Sequence, residues 1–105
     1  MLKINMEFRK GILFVRLKGA LTKYTYKSLD NYLIPVINNH GLKYLVYNLE
    51  AVTLIDSYGK ASLKKGLAAA QLNYGEGGLC HAERYLNEEF RVFENELAAL
   101  TNLQI

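Results

Sequence analysis

Polar and apolar residues alternate along Lys3-Ile4-Asn5-Met6-Glu7-Phe8, which predicts a strand over 3–8 with one buried face. Arg9-Lys10-Gly11 supplies a turn, with glycine free to take positive φ. Ile12 to Leu17 is rich in β-branched and aromatic residues and predicts a second strand, paired with the first in an antiparallel hairpin. From Thr25 the period changes. Tyr26, Leu29, Leu33, Val36 and Ile37 recur at helical spacing, with Thr22 or Thr25 as the cap and Asn39-His40-Gly41 as the stop. Pro35 lacks a backbone donor, so it predicts a kink or an early end to that helix.

Lys43 to Leu49 is largely apolar and predicts a central third strand, with Glu50 to Ile55 as a connection carrying a second apolar patch. Tyr58 to Leu72 predicts a helix with Ala61, Leu63, Leu67, Ala70 and Leu72 available for packing. Gly66 in its middle weakens the helix and permits a close approach to the sheet. Asn73 to Gly78 reads as a loop and Leu79 to Ala82 as a short strand. A last helix is expected from about Asn87 to Leu100, with Phe90, Phe93, Leu97 and Leu100 on its inner stripe. The order β-β-α-β-α-β-α predicts an α/β fold in one domain over 1–105. An N-terminal antiparallel hairpin is followed by βαβαβα-type units, giving a mixed sheet covered by helices with right-handed crossovers.

Composition narrows the function classes. The chain has 105 residues, enough for one core. A net charge of +3 is too weak to argue for nucleic acid, which calls for a basic stripe. The charge is uneven: Lys3, Arg9, Lys10, Arg16, Lys18, Lys23, Lys27 and Lys43 stand early, and Glu83, Glu88, Glu89, Glu94 and Glu96 stand late. Each set reads either as a solvated face or as a binding face. Cys80 is the one cysteine, which excludes an internal disulfide and fits a reducing cytoplasm. No apolar run approaches the roughly 20 residues that span a membrane, so a cytoplasmic protein without membrane insertion is expected. Cys80-His81 lacks zinc-site spacing, and Gly75-Glu76-Gly77-Gly78 lacks the lysine and serine of a phosphate-binding loop. No metal, cofactor or catalytic constellation is expected, and the chain is read as a non-enzyme.

One stretch resists a purely structural reading. Leu54-Ile55-Asp56-Ser57-Tyr58-Gly59-Lys60 runs from an apolar pair into polar residues where a helix begins. Asp56 and Ser57 are both good N-cap residues, and one reading is a cap and nothing more. The other uses the same geometry: a helix N-terminus carries unpaired N–H groups and partial positive charge, which suit a phosphate on Ser57. Gly59 would let another protein's backbone come close. Tyr24, Tyr26 and Tyr58 would form an aromatic patch if the two helix starts are neighbours, or else rim the core.

Three segments resemble the STAS domain family, and within it the bacterial anti-sigma factor antagonists. Val15-Arg16-Leu17-Lys18-Gly19-Ala20-Leu21-Thr22 is similar to the family's strand followed by G-x-L-[DT]. Leu45-Val46-Tyr47-Asn48-Leu49 is similar to its central strand, and Leu54-Ile55-Asp56-Ser57-Tyr58-Gly59 to its D-S-[ST]-G signature. The resemblance covers residues 4 to about 72. It departs from the family pattern at Tyr58, in place of a small Ser or Thr, and at Thr22, where many antagonists carry Asp.

The resemblance implies a partner switch. Ser57 would be the phosphoacceptor, and Asp56, Tyr58, Gly59, Lys60, Thr22 and Tyr24 would form the partner-binding surface. The implied partners are an anti-sigma factor that is also a serine kinase, bound when Ser57 is unphosphorylated, and a phosphatase that resets the switch. A monomer or weak dimer is expected. Two alternatives stay open: a STAS scaffold or subunit of a signalling or transport assembly that is not phosphorylated, and a small-ligand binder near Thr22 and Ser57.

Overall fold

The hairpin turn forms where expected, with Lys10 at φ 50° and Gly11 at φ 86°. It joins β1 (Lys3–Arg9) to β2 (Ile12–Leu21), which pair antiparallel. The chain then runs through α1 (Tyr26–His40), β3 (Tyr44–Ile55), α2 (Ser57–Leu72), β4 (Glu76–Cys80), β5 (Val92–Phe93) and α3 (Glu96–Asn102). The structure, a computed structural model, describes residues 1–82 and 90–103. Beyond the hairpin every sheet neighbour is parallel, in the order β1-β2-β3-β4-β5. The α/β expectation of a mixed sheet covered by helices therefore holds.

Strand alternation builds two cores. Leu13, Val15 and Leu17 of β2, with Leu45, Tyr47 and Leu49 of β3, pack under Leu29, Leu33 and Ile37 of α1 and Leu63 and Ala70 of α2. The opposite side chains, Ile12, Phe14, Val46 and Cys80, pack with Phe93 under Ala99 and Leu103. Beside that smaller core, Arg16 donates to both carboxylate oxygens of Glu96 at 2.9 and 2.8 Å, and Asn48 donates to Glu96 at 2.8 Å. Arg16 also meets Glu7 at 2.8 Å. The early basic and late acidic residues thus join here, at the first residue of α3. The Arg16 hydrogen bond, against some desolvation, draws the Glu96 carboxyl below the usual carboxylate range.

Several element boundaries differ from the sequence expectation. β3 does not stop at Leu49 but continues to Ile55. Its pairing with β2 shifts register twice, between Arg16 and Lys18 and between Gly19 and Ala20, each time with an extra β3 residue. Those bulges break the two-residue period that would have announced a strand. Gly77 and Gly78 lie inside β4 rather than in a loop. A Cβ at either would overlap a backbone carbonyl, of Leu45 or of Arg91.

The last helix begins at Glu96, not near Asn87. Residues 83–89 lie outside the described part of the chain, so the start of that expectation does too. Phe90 and Phe93 are buried but precede the helix, and Phe93 belongs to β5. Their i, i+3 spacing imitates a helical stripe. The true start is signalled by Asn95, whose side chain accepts from Ala98 N at 2.8 Å. Leu97, placed on the inner stripe, is exposed.

α1 does not end early at Pro35 but runs through it to His40, where Gly41 at φ 60° closes it. In α2 the buried face is Gly59, Ser62, Leu63, Gly66, Ala69 and Ala70, while Ala61 and Leu72 are exposed. Gly66 does allow the expected close approach. The Tyr47 ring stands under it, and a Cβ there would overlap the phenol oxygen. That hydroxyl is buried with no hydrogen-bond partner among the described residues. Burial, and next the charge of Asp30, push the phenol above its ordinary range.

Gly66→Ala should therefore overpack the α2–β3 contact and lower stability by about 1–3 kcal/mol. Tyr47→Phe, which removes an unsatisfied hydroxyl, should be close to neutral. The double variant should recover part of the Gly66→Ala loss, a coupling that urea denaturation of the four proteins measures.

Candidate functional site

β2 and β3 are parallel neighbours whose ends pair, Leu21 with Ile55. The two strand-to-helix turns therefore leave the sheet at one edge, side by side. One turn is Thr22–Thr25, leading to α1. The other is Asp56, leading to α2.

The carboxylate of Asp56 joins them. It is the N-cap of α2: Oδ1 accepts from Gly59 N at 2.9 Å, inside its own helix. Oδ2 accepts from Lys23 N at 2.8 Å, in the other turn. Asp56 N donates to the Leu21 carbonyl at 3.3 Å. Gly59 completes the contact, because a Cβ there would overlap the same Leu21 carbonyl. The space beside Gly59 is thus filled by this chain's own backbone, and Gly59 is buried.

Thr22 and Thr25 hold the neighbouring turn. Thr25 Oγ1 accepts from Thr22 N at 2.9 Å and donates to the Ala20 carbonyl at 2.8 Å. Thr22 Oγ1 accepts from Tyr24 N at 3.2 Å and is 9% exposed. Thr25 is the N-cap residue of α1 by position, yet its hydroxyl serves this turn and not the helix. The Thr22 hydroxyl is likewise spent within the turn, inward of the surface.

Ser57 is the first residue of α2 and is exposed. Its hydroxyl has no hydrogen-bond partner among the described residues. Asp56, and not Ser57, is the cap, so the two readings of this stretch fall on different residues. Asp56 already occupies the Gly59 N–H, so a phosphate on Ser57 would share the helix start with that carboxylate.

Around this hydroxyl, Tyr58 is half exposed and its ring lies 5.7 Å from that of Tyr26, tilted by 33°. Tyr24 is 84% exposed, with Lys23 Nζ 5.1 Å from its ring centre. Lys60 lies one helical turn beyond Ser57, and its N–H donates to the Asp56 carbonyl at 3.0 Å. Deeper between the helices, Ser62 Oγ donates to Asp30 at 2.5 Å, and Lys65 pairs with Asp30 at 3.6 Å. Local sequence chemistry showed the Asp56 cap but not the Asp56–Lys23 bond or the Asp30–Ser62 bond, which cross 33 and 32 residues. Neither bond has a sequence signal of its own, because each joins segments that only the fold brings together.

The STAS domain family model matches residues 3–96. The chain belongs to the STAS domain family. The match reaches beyond residue 72, where the resemblance in the sequence ended, as far as the start of α3. An anti-sigma F factor antagonist of Paenibacillus polymyxa is 26% identical over 113 aligned positions, covering 99% of this chain and 97% of the relative. A crystal structure of an anti-sigma factor antagonist from Mycobacterium paratuberculosis superposes with a TM-score of 0.81 at 21% identity, covering 98% of this chain and 94% of that one. The antagonist SpoIIAA in its unphosphorylated form gives 0.73 at 14% identity, covering 94% and 96%. The Bacillus SpoIIAA in its phosphorylated form gives 0.71 at 14%, covering 94% and 98%. At these identities the solved structures establish the fold of the STAS domain. None of its helices among the described residues is long and apolar enough to cross a membrane.

The clamp has a pH signature. Desolvation alone would raise the Asp56 carboxyl, but the N–H groups of Gly59, Lys23 and Tyr58, with the Lys23 charge, outweigh it and hold the carboxyl below its ordinary value. A carboxyl lowered on folding adds stability above its unfolded value, about 3.9. That stability is lost as pH falls through the folded value. Asp56→Ala should therefore melt below the wild type at neutral pH, and the gap should shrink below about pH 4. Melting temperatures of both proteins across pH 2 to 7 check this.

Proposed function

We propose that this STAS domain is an anti-sigma factor antagonist whose binding is switched by phosphorylation of Ser57. One observation carries the reading. The Ser57 hydroxyl is exposed and unengaged at the first position of α2, while its neighbour Asp56 holds the helix start in place. Modification of Ser57 leaves the clamp intact, so the domain stays folded in both states and only its surface changes. Similarity to an anti-sigma F factor antagonist along nearly the whole chain supports the partner class. A structural neighbour known in unphosphorylated and phosphorylated forms supports the chemistry.

On this reading the partner is an anti-sigma factor with serine kinase activity. It docks on Ser57, Tyr58, Lys60 and the Tyr24 turn while Ser57 is unmodified. Ser57 Oγ attacks the γ-phosphorus of the kinase's ATP, ADP departs, and the hydroxyl proton passes to a base on the kinase. The STAS domain supplies the acceptor and no catalytic group. The product carries nearly two added charges in the middle of the contact, and the partner lets go. A phosphatase restores the hydroxyl. The site of action is the cytoplasm, where ATP and sigma factors are found.

A second reading has one observation in its favour. Tyr58 is large, half exposed and packed against Tyr26, as suits a fixed contact in a standing assembly. Calorimetry separates the two, using the partner that co-purifies with the Ser57→Ala chain from native cells. The switch predicts that Ser57→Ala binds as tightly as unmodified protein and Ser57→Asp about tenfold or more weaker. Equal affinity of the two variants, with a larger loss for Tyr58→Ala, would replace the switch by the scaffold.

A further inference from the structure

Lysines crowd the edge of the fold that carries Ser57, and carboxylates there are few. The whole of α2 holds Lys60, Lys64 and Lys65 and no acidic residue. The turn into α1 adds Lys23, with Lys27 in the first turn of the helix. Among the described residues two carboxylates, Asp56 and Asp30, belong to this edge, and both accept hydrogen bonds from within the fold. Asp56 accepts from Gly59 and Lys23 N–H, and Asp30 accepts from Ser62 and pairs with Lys65.

Lys23 and Lys60 both join Asp56, the neighbour of Ser57. One is tied by its backbone to the Asp56 carboxylate and the other to the Asp56 carbonyl. Neither ammonium forms a close ion pair among the described residues, although the Lys23 charge acts on the nearby Asp56 carboxylate. Between and beside them are exposed apolar groups: Tyr24 at 84%, Tyr58 at 52% and Leu54 at 57%.

We infer that this face is built for a protein partner with an acidic surface, one that places Asp or Glu side chains against Lys23 and Lys60 around the Tyr24–Tyr58 patch. Charge complementarity sets the sign, since a basic partner patch would face uncompensated lysines. The exposed rings favour a protein over a polyanion, because aromatic anchors ringed by charge are how protein interfaces are composed. The inference rests on the partner-switch reading for the location of the surface, and it adds the polarity. A phosphate on Ser57 then acts twice: it draws Lys23 and Lys60 onto itself, and it sets a dianion against the partner's carboxylates.

The test is zero-length carbodiimide coupling, which joins a lysine amine to a carboxylate only where the two touch. The full-length Ser57→Ala chain is coupled to the anti-sigma partner that co-purifies with it, and the links are mapped by fragment mass spectrometry. Amide bonds from Lys23 or Lys60 to partner Asp or Glu are expected. Lys60→Glu should weaken binding about tenfold or more, with Lys60→Gln between it and the wild type, and rising salt should weaken the wild-type complex. An unchanged circular dichroism spectrum shows that each variant is folded.

Links running instead from Asp56 to partner lysines, links confined to lysines elsewhere such as Lys3 and Lys18, or an unchanged affinity for Lys60→Glu would overturn the inference. So would recovery of a nucleic acid or lipid as the bound species. Loss of binding by Ser57→Asp with none by Lys60→Glu leaves the switch standing and sinks the acidic partner. Loss by Lys60→Glu with none by Ser57→Asp keeps the acidic partner and sinks the switch.

Discussion

The Asp56 carboxylate is the constraint on which the candidate site depends. It satisfies the start of α2 through Gly59 N and the turn before α1 through Lys23 N, so two helices are set by one side chain. The contact exists because β2 and β3 are parallel and end together, and because Gly59 lets α2 lie on the Leu21 carbonyl. Division of labour follows from this. Asp56 does the structural work, which leaves the next residue, Ser57, with a hydroxyl that the fold does not use. A serine that was itself the cap could not be modified without loosening the helix. On the proposed reading the capping and signalling roles sit on adjacent residues, and α2 serves as a fixed mount for a chemical mark.

The rest of the molecule keeps that mount still. Below α2, Gly66 rides on the Tyr47 ring and Ser62 reaches Asp30 of α1. On the far side of the sheet, Glu96 is clasped by Arg16 and Asn48, which fixes the start of α3 over the smaller core. These contacts bury or engage most of the functional groups near the two helices. Among those left facing outward at the starts of the two helices are Ser57, the Tyr24 and Tyr58 rings and Lys23. Groups that the fold does not need are what the proposed binding face would use.

How much of this the sequence showed depended on how local each cause was. The hairpin, α1, α2 and the first half of β3 were legible because period and caps are written in neighbouring residues. The second half of β3 was hidden by two bulges, and β4 by glycines whose reason is a carbonyl on another strand. Phe90 and Phe93 imitated a helix at the right spacing, while the real signal for α3 was a single asparagine, Asn95. At the site, the motif around Ser57 was visible, but its division into a cap and a free hydroxyl was not. Thr22 also reads differently in three dimensions, since its hydroxyl accepts from Tyr24 N within its own turn and the residue is nearly buried. Long-range pairing decided the strand boundaries and the joining of the two helix starts, and a single sequence does not display it.

The most direct measurement is fragment mass spectrometry of the protein purified from its native cells, in growth and under stress. The account predicts a phosphoryl group on fragments that contain Ser57, present under some conditions and absent under others, with none on Tyr58. A chain that carries no phosphate under any condition, or carries it only elsewhere, would contradict the switch.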